Sequence, residues 1–212
     1  MKPADLRAIG PGFSDLSFGS QAVFRAALHA LSYPGRPVDL PHDAQVPAHG
    51  HAAAAALLLA LLDPDCKLWL SPSLAGTDAA AWLRFHCGCV VVEEPAQAQF
   101  AWVAASDDIP SLASFAQGSD TYPDQSTTCV IEVSGLAESA VASGEAGWRL
   151  QGPGIREQVL LRVEGRAPST AATLVAQRTL NYAAFPRGVD LFLAAPRQIV
   201  GLPRTTRIEL EA

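Results

Sequence analysis

The chain has 212 residues, of which 49% are hydrophobic and 17% are charged. This length and composition are typical of a globular protein with one sizeable core, and the chain is short for two full domains. The formal net charge is −6, and lysine and arginine form no cluster, which argues against nucleic acid as a partner. We therefore expect a single domain over residues 1–212.

The hydrophobic segments of the chain do not indicate a membrane or secreted protein. Its most apolar run, residues 52–62, is shorter than the ~20 residues that a membrane-spanning helix needs, and residues 1–15 contain no apolar signal core. The cysteines lie in apolar, strand-like contexts, which is typical of reduced, buried thiols. They are Cys66, Cys87, Cys89 and Cys129. We expect a cytoplasmic protein without membrane contact.

The first half of the chain predicts helices alternating with strands. Between about 18 and 32, apolar residues recur at helical spacing and predict a helix with one apolar stripe. The stripe consists of Val23, Phe24, Ala27, Leu28 and Leu31. Residues 52–62 have no polar face, so we expect a helix that is covered on most sides. The alternation that follows predicts a strand with Leu68 and Leu70 on one side.

The second half predicts closely spaced strands and one further helix, from Ser169 to about Ala184. Three strand signals end the chain: "VDLFLAA", "QIVGL" and "RTTRIEL". We expect the last two to pair as a hairpin, or the last three as a meander. Together with the early alternation, these strands predict an α/β fold with a mixed sheet flanked by helices.

Several residues with metal or redox chemistry have simpler explanations. Cys87 and Cys89 follow His86, but zinc needs three or four ligands, and no matching second pair is present. His49 and His51 form "HGH" at the start of a helix, where solvated or capping histidines are common. His42, in the same loop, has the same interpretation. We predict no metal site.

No autonomous catalytic motif is present. The glycine-rich stretch 150–158 lacks the spacing of a phosphate-binding loop and predicts a tight turn. Asp63 and Asp65 flank a proline and are more simply explained by a helix end and a turn. The only lysines are Lys2 and Lys67, so a Schiff base with pyridoxal phosphate (PLP) has few candidates. We predict no cofactor, and the catalytic residues are unknown.

Three arginines near the C-terminus each follow a proline, and they are Arg187, Arg197 and Arg204. Proline fixes φ near −65° and restricts the residue before it, so these side chains have a defined direction. An arginine fork matches phosphate and carboxylate oxygens, and nearby hydroxyls add shorter contacts. The candidate substrate-binding residues are Arg187, Asp190, Arg204, Thr205 and Thr206.

A structural role for the same arginines is the alternative hypothesis. Asp190 is expected to pair with Arg187 or Arg204 and to fix strand ends or a dimer contact. The prolines then only set edges and turns.

Seven segments, taken together, resemble a known family. In chain order they are "FRAALHALSYPGRPV", "LLLALLDPDCKLWLS", "LRFHCG", "GSDTYPDQSTTCVIEV", "LQGPGI", "FPRGVDLFL" and "LPRTTRIEL". They are similar to the H-subunit family of the bacterial carbon-phosphorus lyase system, PhnH, and extend over nearly the whole chain. The loop "PHDAQVPAHGH" matches no motif of that family.

The resemblance implies a fold like the large domain of PLP-dependent transferases, without PLP, and a homodimer. It also implies assembly with the G, I, J and L subunits of the lyase core complex in phosphonate catabolism. The early reaction displaces adenine from ATP and yields ribose 1-phosphonate 5-triphosphate. No catalytic residue can be transferred.

Three functions remain open at this point. The chain is a scaffolding subunit, a subunit that contributes a nucleotide or phosphonate site to the reaction, or an independent transferase-like enzyme. Large interfaces centre on aromatic anchors, so any exposed member of Trp82, Trp102 and Trp148 is a candidate contact, although burial in the core is the simpler expectation.

Overall fold

The computed structural model describes residues 9–139 and 147–211. The helices are α1 (Leu16–Ser32), α2 (Ala52–Leu61), α3 (Pro72–Ala75), α4 (Asp78–Cys87) and α5 (Pro168–Ala183). The strands of the first half are β1 (Val38–Asp39), β2 (Lys67–Leu70), β3 (Val90–Val92), β4 (Phe100–Val103) and β5 (Thr128–Glu132). The later strands are β6 (Gly135–Ser139), β7 (Gly147–Gln151), β8 (Val159–Glu164), β9 (Asp190–Ala194), β10 (Gln198–Leu202) and β11 (Arg207–Glu211).

Two sheets organise the fold. The larger has seven strands in the order β1-β10-β9-β5-β4-β2-β3. β9, β5, β4, β2 and β3 are parallel, and β10 runs opposite to them and pairs antiparallel with both β9 and β1. The smaller is antiparallel, in the order β11-β7-β8-β6. The predicted α/β class with a mixed sheet and flanking helices is confirmed, and the separate antiparallel sheet is an addition to it.

The large sheet is covered differently on its two faces. Helices α1, α2 and α4 pack on one face, and the apolar α2 is buried from Ala53 to Leu59, as its composition predicts. The small sheet and α5 pack on the other face. Alternate residues of each central strand therefore enter two different apolar clusters, as in β5, where Val130 joins one cluster and Ile131 the other.

The predicted pairing of the last strands is wrong. β10 pairs with β9 in the large sheet, whereas β11 pairs with β7 in the small sheet. Neither the hairpin of the last two strands nor the three-stranded meander forms. The reason is the turn after Leu202, in which the amide of Thr206 donates to the carbonyl of Pro203 at 2.9 Å and the chain passes to the second sheet.

Helix α1 buries its small residues and exposes large ones. Val23, Ala27 and Ala30 are buried, whereas Phe24 and Leu28 are 51% and 55% exposed. The predicted apolar stripe, which groups Phe24 and Leu28 with the buried residues, is therefore only partly correct. The cause lies in β10, where a Cβ at Gly201 would stand 2.6 Å from the Ala30 carbonyl carbon, so the helix packs directly on strand backbone.

This close approach makes Gly201→Ala destabilising. The added methyl group meets helix backbone, which cannot rotate away, so we expect the free energy of unfolding to fall by about 1 to 3 kcal/mol. Urea denaturation followed by circular dichroism measures the change. Gly76→Ala is the matched control, because a Cβ there has no neighbour within 4 Å. Equal midpoints for the two variants would contradict the packing described here.

Candidate functional site

The predicted substrate-binding residues lie around the amino ends of the parallel strands. Asp190 begins β9, opposite Thr128 at the start of β5. Arg204 lies after β10 and binds Asp190 twice through its guanidinium, with Nε 3.2 Å from Oδ1 and Nη2 2.5 Å from Oδ2. Its peptide nitrogen also donates to Oδ1, at 2.7 Å. The ion pair considered as the structural alternative is therefore present.

The other donors of Arg204 are also satisfied by protein. Nη1 donates to the carbonyls of Pro123 and Pro186 at 2.8 and 3.1 Å, and Nη2 donates to Ser126 Oγ at 2.6 Å. A guanidinium has five N–H donors, and each of these has an acceptor. A ligand anion at Arg204 must therefore displace existing hydrogen bonds.

A second arginine, absent from the sequence prediction, lies beside this pair. Arg178 projects from α5 and is fully buried, with Nη1 3.0 Å from the Val189 carbonyl and Nη2 2.5 Å from the Pro203 carbonyl. Burial lowers its pKa to about 10, against the opposing charge of Asp190. The guanidinium therefore stays charged at neutral pH and holds the turn before β11 against the start of β9.

The remaining candidates differ in exposure and partners. Arg187 is exposed and pairs with Asp120 across 3.3 Å. Thr205 is half-buried, and the fully buried Thr206 has a hydroxyl without a hydrogen-bond partner among residues 9–139 and 147–211. The structure thus gathers the five residues into one region. Their role in substrate binding stays a prediction.

A mutation separates the two roles of Arg204. If the ion pair stabilises the turn, Arg204→Ala leaves the carboxylate of Asp190 without its counter-ion. We then expect the free energy of unfolding to fall by about 3 kcal/mol. Arg187→Ala, at an exposed pair, should cost less than about 1 kcal/mol. Thermal and urea unfolding of both variants measure the difference. An unchanged Arg204→Ala midpoint with lost ligand binding would instead support the substrate-binding prediction.

The carboxyl ends of the parallel strands hold a buried carboxylate that the sequence prediction missed. Glu132 ends β5 and is only 2% exposed. Its Oε1 accepts from Trp102 Nε1 at 2.9 Å and from the peptide nitrogen of His51 at 2.5 Å, and its Oε2 accepts from the Ala105 nitrogen at 3.0 Å. One side chain therefore joins β4, the loop after it and the start of α2.

His51 completes this cluster. Its Nδ1 lies 3.0 Å from the carbonyl oxygen of Ala194, which only accepts, so Nδ1 carries the proton. The other ring nitrogen, Nε2, is 4.0 Å from Glu132 Oε2. Protonated, Nε2 is a counter-ion for Glu132; unprotonated, it is a base beside a carboxylate. This is the arrangement at the carboxyl edge that most resembles an acid–base pair.

An arginine fixes the same edge from the other side. Arg166 donates to three backbone carbonyls: Glu132 at 3.0 Å, Ala104 at 2.8 Å and Asp107 at 2.5 Å. Burial lowers its pKa, which the negative charges nearby partly offset. The loops that follow β4 and β5 are therefore held by charged side chains in the part of the chain described.

Replacing Glu132 tests this organisation. Glu132→Gln puts an amide donor where the carboxylate accepts only, so at least one of the three N–H donors loses its partner. We expect a loss of about 1 to 3 kcal/mol in unfolding free energy. Urea denaturation measures it, with the exposed Glu157→Gln as control. If both variants unfold at one midpoint, the carboxylate does not organise the loops.

The remaining sequence candidates have structural contacts. His86 Nε2 is 2.9 Å from the Gly10 carbonyl, and His49 Nδ1 is 2.7 Å from Asp78. Burial raises the pKa of the Cys66 thiol to about 11 and that of Cys87 to about 12. Within residues 9–139 and 147–211, no three His, Cys, Asp or Glu side chains are grouped to hold a metal ion.

The glycine-rich stretch forms a turn that packs on the rest of the fold. The Ile155 nitrogen donates to the Gly152 carbonyl at 3.1 Å. Gly154 has φ +83° and lies so close to α1 that a Cβ would approach the Ser32 carbonyl oxygen to 2.4 Å. Both features agree with the tight turn read from the sequence.

A family model described as "Bacterial phosphonate metabolism protein (PhnH)" matches residues 11–209, which include both edges of the large sheet. The chain belongs to the PhnH family. It is 36% identical over 199 residues, covering 94% of each chain, to "Alpha-D-ribose 1-methylphosphonate 5-triphosphate synthase subunit PhnH" of Rhizobium meliloti (strain 1021). It is 32% identical over 191 residues to "Putative C-P lyase subunit protein HtxG" of Stutzerimonas stutzeri, covering 90% of this chain and 86% of that relative.

Proposed function

We propose that this PhnH-family chain is a non-catalytic or co-catalytic subunit of a bacterial carbon-phosphorus lyase core complex. In that role it is needed for organic phosphonate catabolism, in the step that forms ribose 1-phosphonate 5-triphosphate from ATP and a phosphonate. The observation that carries the proposal is the match along 94% of both chains to a relative named as a subunit of such a synthase.

The proposal includes the partners and setting that the family resemblance implies. The partners are a second copy of the chain and the G, I, J and L subunits, and the setting is the cytoplasm. In the part of the chain described, no helix is long and apolar enough to cross a membrane. We also infer that residues 1–212 form one domain, because both sheets share an apolar cluster.

A fold like that of PLP-dependent transferases, but without PLP, is part of the same proposal. The parallel strands with helices on one face support the likeness. Lys67 is exposed at the amino end of β2, away from the strand ends where such sheets usually bind ligands. Lys2 lies outside the described residues. A purified protein with Schiff-base absorbance would favour an independent transferase-like enzyme instead.

The contact surface proposed for the second copy is the exposed face of α1. The tryptophans considered as interface anchors, Trp82, Trp102 and Trp148, are all buried in the core. The large exposed apolar side chains on α1 are instead Leu16, Phe18, Phe24 and Leu28. Phe24 and Leu28 are four residues apart and share one face of α1. A two-fold dimer uses the same patch on both subunits, so this apolar face is covered by its copy.

Charge on this face should break the dimer. Phe24→Asp places a carboxylate in a surface that has to lose water on association, and we expect predominantly monomer at micromolar concentration. Sedimentation velocity measures the state of the wild type and variant. The control is Leu180→Asp, on the 74% exposed Leu180 of α5. A dimeric Phe24→Asp, or dissociation by the control alone, would place the interface elsewhere.

The subunit assignment is tested by reconstitution. We expect the chain to co-purify with the G, I, J and L subunits, and adenine release from ATP with methylphosphonate to require it. Heat-denatured chain is the control for nonspecific effects of added protein. Full adenine release without the chain, together with no co-purification, would overturn the assignment.

A co-catalytic role has one specific observation in its favour. The carboxyl ends of β5 and β9 carry the Glu132 and His51 cluster and border an open groove. If that edge takes part in the reaction, the His51→Ala complex should assemble normally and release adenine more slowly. For a purely scaffolding subunit, His51→Ala leaves the rate unchanged.

A further inference from the structure

A groove of about 660 Å³ opens beside the carboxyl ends of β5 and β9. Its walls come from β1, from the link between β5 and β6, and from the turn between β9 and β10. They include Asp39, Ser134, Pro196, Arg197 and Gln198. Ligand pockets commonly have volumes of about 300 to 1,000 Å³, and ligands of open α/β sheets bind outside the carboxyl ends of the strands.

Arg197 differs from the other two arginines that follow a proline. Arg204 is saturated by Asp190 and its neighbours, and Arg187 pairs with Asp120. The guanidinium of Arg197 is exposed in the groove and makes no hydrogen bond or ion pair to the described residues. Its five donors are therefore available for an oxyanion.

The backbone that carries Arg197 is fixed by the fold. The Ala195 nitrogen donates to the Gln198 carbonyl at 2.9 Å, which closes a four-residue turn with Pro196 and Arg197 at its centre. The Pro196 carbonyl accepts from the Ala53 nitrogen at 3.3 Å, and the Arg197 carbonyl accepts from the Leu40 nitrogen at 2.9 Å. The arginine is therefore presented from a turn that α2 and the residue after β1 both hold, which reduces the ordering cost of binding.

Asp39 gives the groove a second kind of polar group. Gln198 Nε2 donates to its Oδ1 at 2.9 Å, while Oδ2 has no hydrogen-bond partner among the described residues. A carboxylate accepts hydrogen bonds and repels anions, so it opposes a bare phosphate beside Arg197. It favours a ligand that carries hydroxyl donors as well as an anionic group.

Ser134 adds a neutral polar group to the groove wall, and His42 lies next to the groove in sequence. Ser134 is exposed on the groove wall. His42 directly follows the groove residue Pro41, and its buried Nδ1 has no partner in the described part of the chain. Burial lowers the pKa of His42 more than the Ala44 backbone and the charge of Asp43 raise it, and the charge of Arg197 adds to the lowering.

We propose that this groove binds a pentose that carries a phosphoryl or phosphonyl group, with Arg197 holding the oxyanion and Asp39 accepting the sugar hydroxyls. The choice of a pentose rests on the proposed function, whereas the requirement for an anion and hydroxyls comes from the groove itself. The site is separate from the Arg204 cluster, which lies at the opposite ends of the same strands.

The test is calorimetric titration of the isolated full chain with ribose 5-phosphate, and with ribose and methylphosphonate as separate probes. We expect ribose 5-phosphate to bind and each half-ligand to bind at least about tenfold more weakly. Arg197→Ala should weaken binding by about tenfold or more, because a charge-assisted pair is lost. Asp39→Asn should weaken the binding of ribose 5-phosphate. It should leave the affinity for methylphosphonate unchanged or increase it.

Arg84→Ala is the matched control, since it removes another exposed arginine, on α4 and outside the groove. Unfolding midpoints of all variants should equal that of wild type, because Arg197 and Asp39 are exposed. The proposal is overturned if wild type does not bind ribose 5-phosphate, if Arg197→Ala binds like wild type, or if Arg84→Ala loses binding equally. If methylphosphonate binds as tightly as ribose 5-phosphate, Asp39 has no role in recognition. That result would also overturn the proposal.

These results are independent of the subunit assignment. Co-purification and adenine release test whether the chain belongs to the complex, and titration of the isolated chain tests the groove. If the chain assembles and supports adenine release but does not bind ribose 5-phosphate, the proposed function stands. The proposal of a binding site in this groove is then wrong.

Discussion

The contact between Arg204 and Asp190 holds the turn through which the chain passes from the large sheet to the small one. The pair lies where β10 ends and β9 begins, and Arg178 binds the same turn from α5. The chain then enters β11, which belongs to the other sheet. Three separate elements thus converge on one turn through charged donors and backbone carbonyls. Because guanidinium groups removed from water need several acceptors, this turn has few alternative conformations.

The two edges of the large sheet use charged residues differently. At the amino ends, all five guanidinium donors of Arg204 are bonded to protein acceptors, which is typical of a structural cluster. At the carboxyl ends, Glu132 and Arg166 hold the loops, while Arg197 and part of Asp39 remain open. Rigid loops with a few available polar groups are what a binding site requires. The pattern of proline followed by arginine therefore occurs in two physically distinct environments. At Arg204 the guanidinium is bonded to protein, and at Arg197 it is available to a ligand.

Local features of the fold were predictable from sequence, and the partners of each element were not. Helical spacing located α1, but which of its residues are buried depends on Gly201 in a distant strand. The last strands were expected to pair because neighbouring strands usually do. The pairing of Arg204 with Asp190 was one of two predicted ion pairs, because the two residues are close in sequence. Glu132 was missed, since a glutamate in an alternating strand resembles a solvent-facing residue until its three donors are known.

The pairing of β1 with β10 has a kinetic consequence. Val38 lies opposite Ile199, so this edge of the large sheet joins segments from near the two ends of the described chain. Closing so long a loop costs conformational entropy before the strand contacts form and compensate for it. Such pairings are therefore late events in folding. Until then β10, an apolar strand, has an open edge that another chain can occupy.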